Sequence, residues 1–242
     1  MKPEFIFPDW PAPKNIKAVT TTRIGGHSQV PFDSFNLAAH VDDDPDTITQ
    51  NRKTLITTLQ LPAEPVWLEQ VHSAIVIDTS TQDRKADASV ATQTGCVCAV
   101  MTADCLPVLF CNQQGTQVAA AHAGWRGLAD GILESTVKTM KSPANELMAW
   151  LGPAIGPDVF EVGDEVRDAF INYLPQAEQA FRQTRPGHWL ADLYLLARQR
   201  LAQQGITEIY GGDFCTYTEK KRFYSYRRDG KTGRMASLIW ME

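Results

Sequence analysis

The sequence lacks long hydrophobic runs, a surplus of basic residues and any secretion signal. No stretch reaches about 18 consecutive apolar residues, which excludes a membrane-spanning helix. The 28 acidic residues outnumber the 23 basic ones, giving a formal net charge of −5. An acidic balance is poor for tracking a phosphate backbone, so nucleic acid is disfavoured as a partner. Because the first residues lack the charged start and apolar run of a signal peptide, we expect a cytoplasmic protein.

The number and spacing of the five cysteines do not suggest a disulfide framework or a zinc finger. Their number is odd and none of them is spaced as Cys-x-x-Cys, which argues against both possibilities. Cys96 and Cys98 stand two residues apart, so a strand would place both on one face, where buried packing is their expected role.

No Pro/Gly/Ser-rich linker, fixed-period repeat or low-complexity segment divides the chain. We therefore predict a single domain over residues 1–242. Short apolar runs and amphipathic segments alternate irregularly, with hairpin-like pairs in the middle. This pattern predicts a mixed α/β (α+β) protein in which layered sheets are flanked by helices.

Local signals predict the main elements. Asp44 and Pro45 are an N-cap and a first helical residue, and the helix should extend to about Gln60. A loop passing into a helix is predicted over 124–140, and helices are predicted over 162–174 and 193–201, the last capped by Asp192. Strands are predicted over 16–22, 66–71, 74–78, 95–102, 106–111, 117–122, 147–151, 206–210 and 235–240.

Three potential metal ligands follow three different predicted strands: His72, Cys105 and His122. The ends of strands present side chains to a shared crevice. Two imidazoles and one thiolate suit Zn²⁺ and leave a fourth position open for water or substrate, as in catalytic sites. The spacing matches no local metal motif, and a structural role for each histidine is the competing interpretation.

The segments around these residues add to the pattern. His122 is followed by small residues and by Gly124-Trp125-Arg126-Gly127, which suits close backbone approach but also a simple tight turn. Asp104 directly precedes Cys105. It is a weak candidate for the general acid, because its side chain can point away. Pro107 predicts an edge or irregular backbone rather than a central strand.

Seven motifs make the sequence similar to the bacterial YfiH-like family, whose members are labelled polyphenol oxidase or laccase domain, peptidoglycan editing factor and purine nucleoside phosphorylase. The resemblance extends from about Phe5 to Trp240. The motifs are TTRIGG at 21–26, SFNL at 34–37, EQVH at 69–72, TADCLP at 102–107, HAGWRG at 122–127, GPAIGP at 152–157 and FYSYRRDG at 223–230.

The resemblance implies a fold related to the cytotoxic necrotising factor catalytic domain and a metal site formed by His72, Cys105 and His122. It implies phosphorolysis of adenosine, inosine and methylthioadenosine, with adenosine deamination as a further activity. Zinc is the expected cofactor, and the three ligands are the expected catalytic residues. Two family positions differ here, Ala38 in place of glycine and Ala197 in place of asparagine, and neither belongs to the predicted triad.

Phosphorolysis also needs residues that hold inorganic phosphate and the nucleoside. Arg23 and Arg126 are candidates, because a guanidinium binds phosphate oxygens bidentately. Asn36, in the SFNL motif, is a third candidate substrate-binding residue. For each arginine, a structural hydrogen bond is the simpler interpretation.

Three other functions compete. A copper-dependent polyphenol oxidase could use the same triad, but only His27, His40 and His188 would then remain, too few for a conventional trinuclear cluster. A cysteine hydrolase that edits peptidoglycan precursors would use Cys105 as nucleophile and His122 or His72 as base. A nucleic-acid binder would use the basic, aromatic segment 220–234, for which a solvated hairpin over the substrate site is the alternative.

Overall fold

The computed structural model describes residues 2–242, in which three β-sheets and their flanking helices form layers. A four-stranded antiparallel sheet has the order β1-β2-β13-β5. Its strands are β1 (Phe5–Ile6), β2 (Ile16–Thr21), β5 (Val97–Thr102) and β13 (Met235–Met241).

A six-stranded sheet lies against the first and has the order β12-β8-β6-β7-β4-β3. The outermost pairs, β12 with β8 and β3 with β4, are parallel, and the central pairs are antiparallel. Its strands are β3 (Val76–Asp78), β4 (Ala88–Ala91), β6 (Leu106–Asn112), β7 (Val118–Ala123), β8 (Leu147–Leu151) and β12 (Glu208–Gly211).

The third sheet is small, with the order β10-β11-β9, and it borders the helical layer. Its strands are β9 (Glu161–Gly163), β10 (Phe181–Arg185) and β11 (His188–Ala191). The helices are α1 (Pro45–Leu59), α2 (Trp125–Ala129), α3 (Ile132–Met140), α4 (Asp164–Ile171), α5 (Leu193–Gln203) and α6 (Tyr226–Asp229), with 3₁₀ turns at Ala144–Glu146 and Pro175–Ala180. None of the helices in the described part of the chain is long and apolar enough to cross a bilayer.

The apolar strands are buried on both faces, which explains why they show no polar alternation. Along β6, Val108 and Phe110 pack with the helical layer, whereas Leu109 and Cys111 pack between the two large sheets. The outer face of the four-stranded sheet is covered by α1 through Leu55 and by the loop that precedes that helix. The layers therefore run helix, sheet, sheet, helices, which confirms the predicted mixed α/β architecture.

The helix signals at Asp44 and Asp192 are confirmed. The Asp44 carboxylate accepts the Thr47 N–H at 2.8 Å, and the Asp192 carboxylate accepts the Leu195 N–H at 2.9 Å. Each bond satisfies one of the free donors at a helix start.

Four local predictions are wrong for identifiable reasons. Residues 66–71 form only two isolated bridges, at Val66 and Glu69. The Val71 N–H donates to the Asp87 carboxylate and the Gln70 side chain accepts the Met101 N–H, so side chains take the place of a strand partner here. The loop predicted at the start of 124–140 is itself helical, as α2, and Gly131, whose φ is 92°, separates α2 from α3. The segment predicted as one helix over 162–174 begins as β9, because Glu161–Gly163 pairs with β11. Pro107 lies in β6, a central strand, as its second residue.

Candidate functional site

His122 lies near the end of β7, where the sheet meets the first turn of α2. Its side chain is buried, with 3% exposure. The backbone N–H of His122 donates to the Asp87 carbonyl at 2.7 Å. Its ring Nδ1 lies 2.9 Å from Asp87 Oδ1. The carboxylate therefore accepts from Nδ1–H and leaves Nε2 free, which is the usual arrangement behind a metal-binding histidine.

Cys105 lies in the tight connection between β5 and β6, in a turn fixed by its neighbour. Asp104 adopts a φ of 93°, a strained value for a residue other than glycine. Its carboxylate accepts the Thr216 hydroxyl at 2.6 Å and the Arg227 N–H at 2.7 Å, and its carbonyl accepts the Ile155 N–H. These bonds hold the turn in place, so Asp104 orients Cys105 through the backbone.

His72 lies in an irregular loop rather than at a strand end, and its φ is 61°. The same Asp87 that supports His122 fixes this loop. Its carboxylate accepts the N–H groups of His72 at 3.0 Å and Ser73 at 2.6 Å, and the Ser73 hydroxyl at 2.8 Å. One buried carboxylate therefore positions two of the three predicted ligands.

The structure brings the predicted triad together. The ligand atoms of His72, Cys105 and His122 all lie within 4.8 Å of one another, and Cys105 Sγ is 3.9 Å from His72 Nε2. Gly124 closes one side of the group. A Cβ at that position would lie 2.9 Å from Cys105 Sγ and 3.0 Å from His72 Cδ2. The site therefore needs a glycine there.

The electrostatics of the group favour a thiolate. Burial raises the pKa of the Cys105 thiol, but the His122 and His72 imidazoles outweigh burial and lower that pKa to about 6. Burial lowers the pKa of His122, whereas the Cys105 thiolate and the Asp87 carboxylate outweigh it and raise that pKa to about 9. Burial also raises the pKa of Asp87, but hydrogen bonds from His122 and Ser73 bring it down to about 2. A thiolate is the form that binds metal and the form that attacks as a nucleophile.

The triad opens into a cavity of about 500 Å³, within the size range of small-molecule sites. Its walls combine aromatic side chains with cationic ones. The aromatic residues are Trp125, Phe160 and Tyr226, and the cationic ones are Arg126, Arg227 and Arg234. Such a lining suits a flat aromatic ring together with an anion.

The candidate substrate-binding residues are placed differently. Arg126 lines the cavity, whereas Arg23 and Asn36 are not among the lining residues. The Arg23 guanidinium binds the Asp33 carbonyl and carboxylate and the Lys220 carbonyl. Asn36 is fully buried, and its Oδ1 accepts the Arg234 N–H at 2.9 Å. Asn36 therefore holds the backbone of Arg234, which lines the cavity.

Sequence reasoning missed Asp87, whose carboxylate contacts the His122 ring and the backbone of His72. It precedes β4, a strand of four small residues whose sequence shows no strong pattern.

Segment 220–234, which was also considered as a nucleic-acid-binding surface, lies in the core and at the cavity instead. Phe223 and Tyr224 are fully buried in the core, and Tyr226, Arg227 and Arg234 line the cavity. The segment thus forms part of the wall of the site.

Comparison with known proteins gives a consistent family. The family described as multi-copper polyphenol oxidoreductase laccase matches residues 17–242. The Escherichia coli (strain K12) protein named purine nucleoside phosphorylase YfiH is 56% identical over 241 residues, covering 98% of this chain and 99% of that protein. A Haemophilus influenzae purine nucleoside phosphorylase is 50% identical over 241 residues, with 98% and 99% covered.

Solved structures agree. The crystal structure of a Neisseria meningitidis protein matches with a TM-score of 0.95 at 51% identity, covering 98% of this chain and 99% of that one. YlmD of Geobacillus stearothermophilus matches with a TM-score of 0.89 at 33% identity, covering 95% and 93%. With these matches over nearly its whole length, and with the His/Cys/His group in place, the chain belongs to the YfiH-like, laccase-domain family.

Proposed function

We propose that this protein is a zinc-dependent purine nucleoside phosphorylase that accepts adenosine, inosine and methylthioadenosine and also deaminates adenosine. The observation that carries the proposal is the His72–Cys105–His122 group at one wall of a cavity lined by aromatic rings and arginines. Relatives that share half or more of the sequence are named purine nucleoside phosphorylases. Cytoplasmic location stays a prediction.

The donor set fits zinc. Two imidazole nitrogens and a thiolate match its preferred ligands and leave one position open. The thiolate is already favoured at Cys105, and Asp87 leaves His122 Nε2 free to bind. Gly124 leaves room beside both Cys105 and His72. A bound zinc would supply a Lewis acid in the cavity.

In phosphorolysis, an oxygen of inorganic phosphate attacks C1′ of the ribose and the C1′–N9 bond breaks. The bonding electron pair leaves with the purine, which takes up a proton, and the other product is ribose 1-phosphate. The chain's own residues would hold the reactants in line. Trp125, Phe160 and Tyr226 offer faces for the purine, and Arg126 offers a guanidinium to the phosphate.

Deamination would use the same cavity with water in place of phosphate. Water adds to C6 of adenine and ammonia leaves, so adenosine becomes inosine. Both Asp104 carboxylate oxygens already accept hydrogen bonds, from Thr216 and Arg227, which favours a structural role for this residue.

A cysteine hydrolase acting on peptidoglycan precursors is the second candidate, and one observation favours it. Cys105, His122 and Asp87 form a series of thiol, imidazole and carboxylate, and the pKa of the thiol is lowered to about 6. This is the arrangement of an activated cysteine nucleophile. Occupancy by metal decides between the two, because a metal-bound thiolate is a poorer nucleophile.

Copper oxidation of phenols receives less support. Within residues 2–242, the His72–Cys105–His122 group is the one cluster of three or more residues suited to a metal ion. Of the other histidines, His40 lines the cavity and His188 pairs with Glu161 at 3.6 Å. Copper remains an alternative occupant of the triad, because it outcompetes zinc at most nitrogen and sulfur sites.

The proposal is tested by metal analysis together with a nucleoside assay. Purified protein is expected to carry about one zinc per chain and to convert inosine to hypoxanthine only when inorganic phosphate is present. Cys105→Ser is expected to lose both metal and turnover. The Arg23→Ala variant tests the remaining substrate prediction, since a role at the phosphate would raise the KM for phosphate more than that for inosine.

A further inference from the structure

The cavity carries more positive charge than its own residues neutralise. Three arginines line it, Arg126, Arg227 and Arg234, against the Asp104 carboxylate and the Cys105 thiolate. That carboxylate is already occupied by the Thr216 hydroxyl and the Arg227 N–H. The excess charge is therefore available to an anion from solution.

Arg234 is the best fixed of the three arginines. One of its terminal nitrogens, Nη1, donates to the carbonyls of Thr232 at 2.8 Å and Gly233 at 3.0 Å. Its other nitrogens, Nη2 and Nε, have no hydrogen-bond partner among residues 2–242. The backbone N–H is held by Asn36, and the Tyr226 ring centroid lies 5.9 Å from Cζ. One edge of the guanidinium is thus anchored and another remains free.

Arg234 also lacks a counter-charge. No carboxylate of residues 2–242 lies within 4 Å of its guanidinium, although the side chain is partly buried. Burial lowers the pKa of Arg234, and the charges of Cys105 and Asp104 oppose that effect. A desolvated cation without a partner is costly, so its retention in a cavity is typical of a site where a ligand supplies the negative charge.

Arg126 adds a second free guanidinium. It lies in the first turn of α2, is exposed, and stacks over the Trp125 ring at 4.3 Å. None of its side-chain nitrogens hydrogen-bonds to the described residues. Arg23 differs, because three of its donor contacts are taken by Asp33 and Lys220 and its guanidinium stacks on Tyr224.

We infer that Arg234 and Arg126 form the subsite for inorganic phosphate, with Arg234 as the anchored contact and Arg126 as the exposed one. The inference rests on the proposed phosphorolysis, which requires an anion beside the ribose. A guanidinium whose Nη2 and Nε are both free can donate hydrogen bonds to two phosphate oxygens at once. Because Arg234 and Arg126 line the same cavity as His72, Cys105 and His122, phosphate held there would share that cavity with the proposed metal ligands.

The kinetic test compares zinc-loaded variants, with phosphate varied at saturating inosine and with inosine varied at saturating phosphate. Arg234→Gln is expected to raise the KM for phosphate at least tenfold and to change the KM for inosine by less than about twofold. Arg126→Gln is expected to raise the phosphate KM by a smaller factor. Arg182→Gln is the matched control, since Arg182 is exposed and pairs with Asp158 away from the cavity. It should leave both constants unchanged.

A binding measurement separates this inference from the proposed function. Radiolabelled phosphate is equilibrated by dialysis with the zinc-loaded proteins, with and without hypoxanthine. If wild type binds phosphate through Arg234 but cleaves inosine by hydrolysis, the subsite stands and the phosphorylase proposal fails.

Two results would overturn the subsite. One is wild-type phosphate binding by a folded Arg234→Gln protein, and the other is absence of phosphate binding by wild type under both conditions. Should Arg234→Gln fail to fold, Arg234→Lys and Arg126→Gln take its place. An unchanged phosphate KM in both of those variants would be equally decisive against it.

Discussion

Asp87 Oδ1 lies 2.9 Å from His122 Nδ1, and the same carboxylate accepts the backbone N–H of His72 at 3.0 Å. A single buried acid therefore fixes the ring of one predicted metal ligand and the loop of another. The third ligand, Cys105, is held separately by the hydrogen bonds of Asp104. The geometry of the site depends on two aspartates that do not themselves belong to the triad.

Removing the charge of Asp87 should weaken metal binding. In Asp87→Asn the amide cannot accept as strongly from His122 and from the 71–73 loop, so we expect zinc affinity to fall about 10- to 100-fold. Competition against a chromophoric chelator measures this. Asp9→Asn is the control, because Asp9 is exposed and should leave the affinity unchanged. A folded Asp87→Asn protein with wild-type affinity would refute the role of Asp87.

Adding a methyl group at Gly124 should disturb the triad directly. The new Cβ would lie about 3 Å from atoms of Cys105 and His72, so Gly124→Ala is expected to lose zinc while keeping its fold. Gly163→Ala is the control, because its added Cβ meets only the end of the flexible Glu165 side chain. Metal content and the circular dichroism spectrum are measured for both. Full zinc retention in Gly124→Ala would contradict the described packing.

Cys105 should be reactive only when the site is empty. In metal-free protein we expect its alkylation rate to rise with pH around a midpoint near 6, following the lowered pKa of the thiol. Cys98 and Cys111 are internal references, since burial raises the pKa of each to about 12. Mass spectrometry after iodoacetamide treatment reads each cysteine. Rapid alkylation of Cys105 in zinc-loaded protein, with activity surviving chelation, would support the hydrolase instead.

Asp87 should also make metal-free protein sensitive to acid. Its folded-state pKa of about 2 lies below the ordinary value of 3.8. The ionised carboxylate therefore stabilises the fold above pH 3.8, and this contribution is lost as the pH falls through 2. The shift corresponds to about 2–3 kcal/mol. Urea unfolding of wild type and Asp87→Asn should show a stability difference that shrinks over this interval. A difference independent of pH would contradict the assignment.

The sequence predicted the triad because its three members carry recognisable chemistry and occur in distinctive motifs. Asp87 could not be found this way, since its role arises from β4 lying beside β7 in the six-stranded sheet. Arg234 was hidden within a basic segment whose charges look alike in sequence. Only the fold distinguishes these arginines. The Arg228 guanidinium donates to the Thr216 and Tyr217 carbonyls, whereas that of Arg234 uses one nitrogen for backbone carbonyls and keeps the other two free.

Local structure was predictable where a helix cap or an apolar run dominated, as at Asp44 and in β6. It failed where pairing across the chain overrode the local pattern. The segment from Val162 was predicted to begin a helix, yet Val162 and Gly163 belong to β9, which pairs with β11. Pro107 was expected to lie outside a central strand, because proline has no backbone N–H to donate. It is the second residue of β6, where its carbonyl accepts the Gly152 N–H.

The fate of inosine with and without phosphate tests the central claim most directly. The zinc-loaded enzyme is incubated with inosine in phosphate-containing and phosphate-free buffer, and the sugar product is identified by ³¹P NMR and by an assay for free ribose. We predict ribose 1-phosphate and hypoxanthine in equal amounts, with no cleavage in phosphate-free buffer. Free ribose formed at the same rate in both buffers, or no cleavage by protein carrying a full zinc complement, would contradict the proposed function.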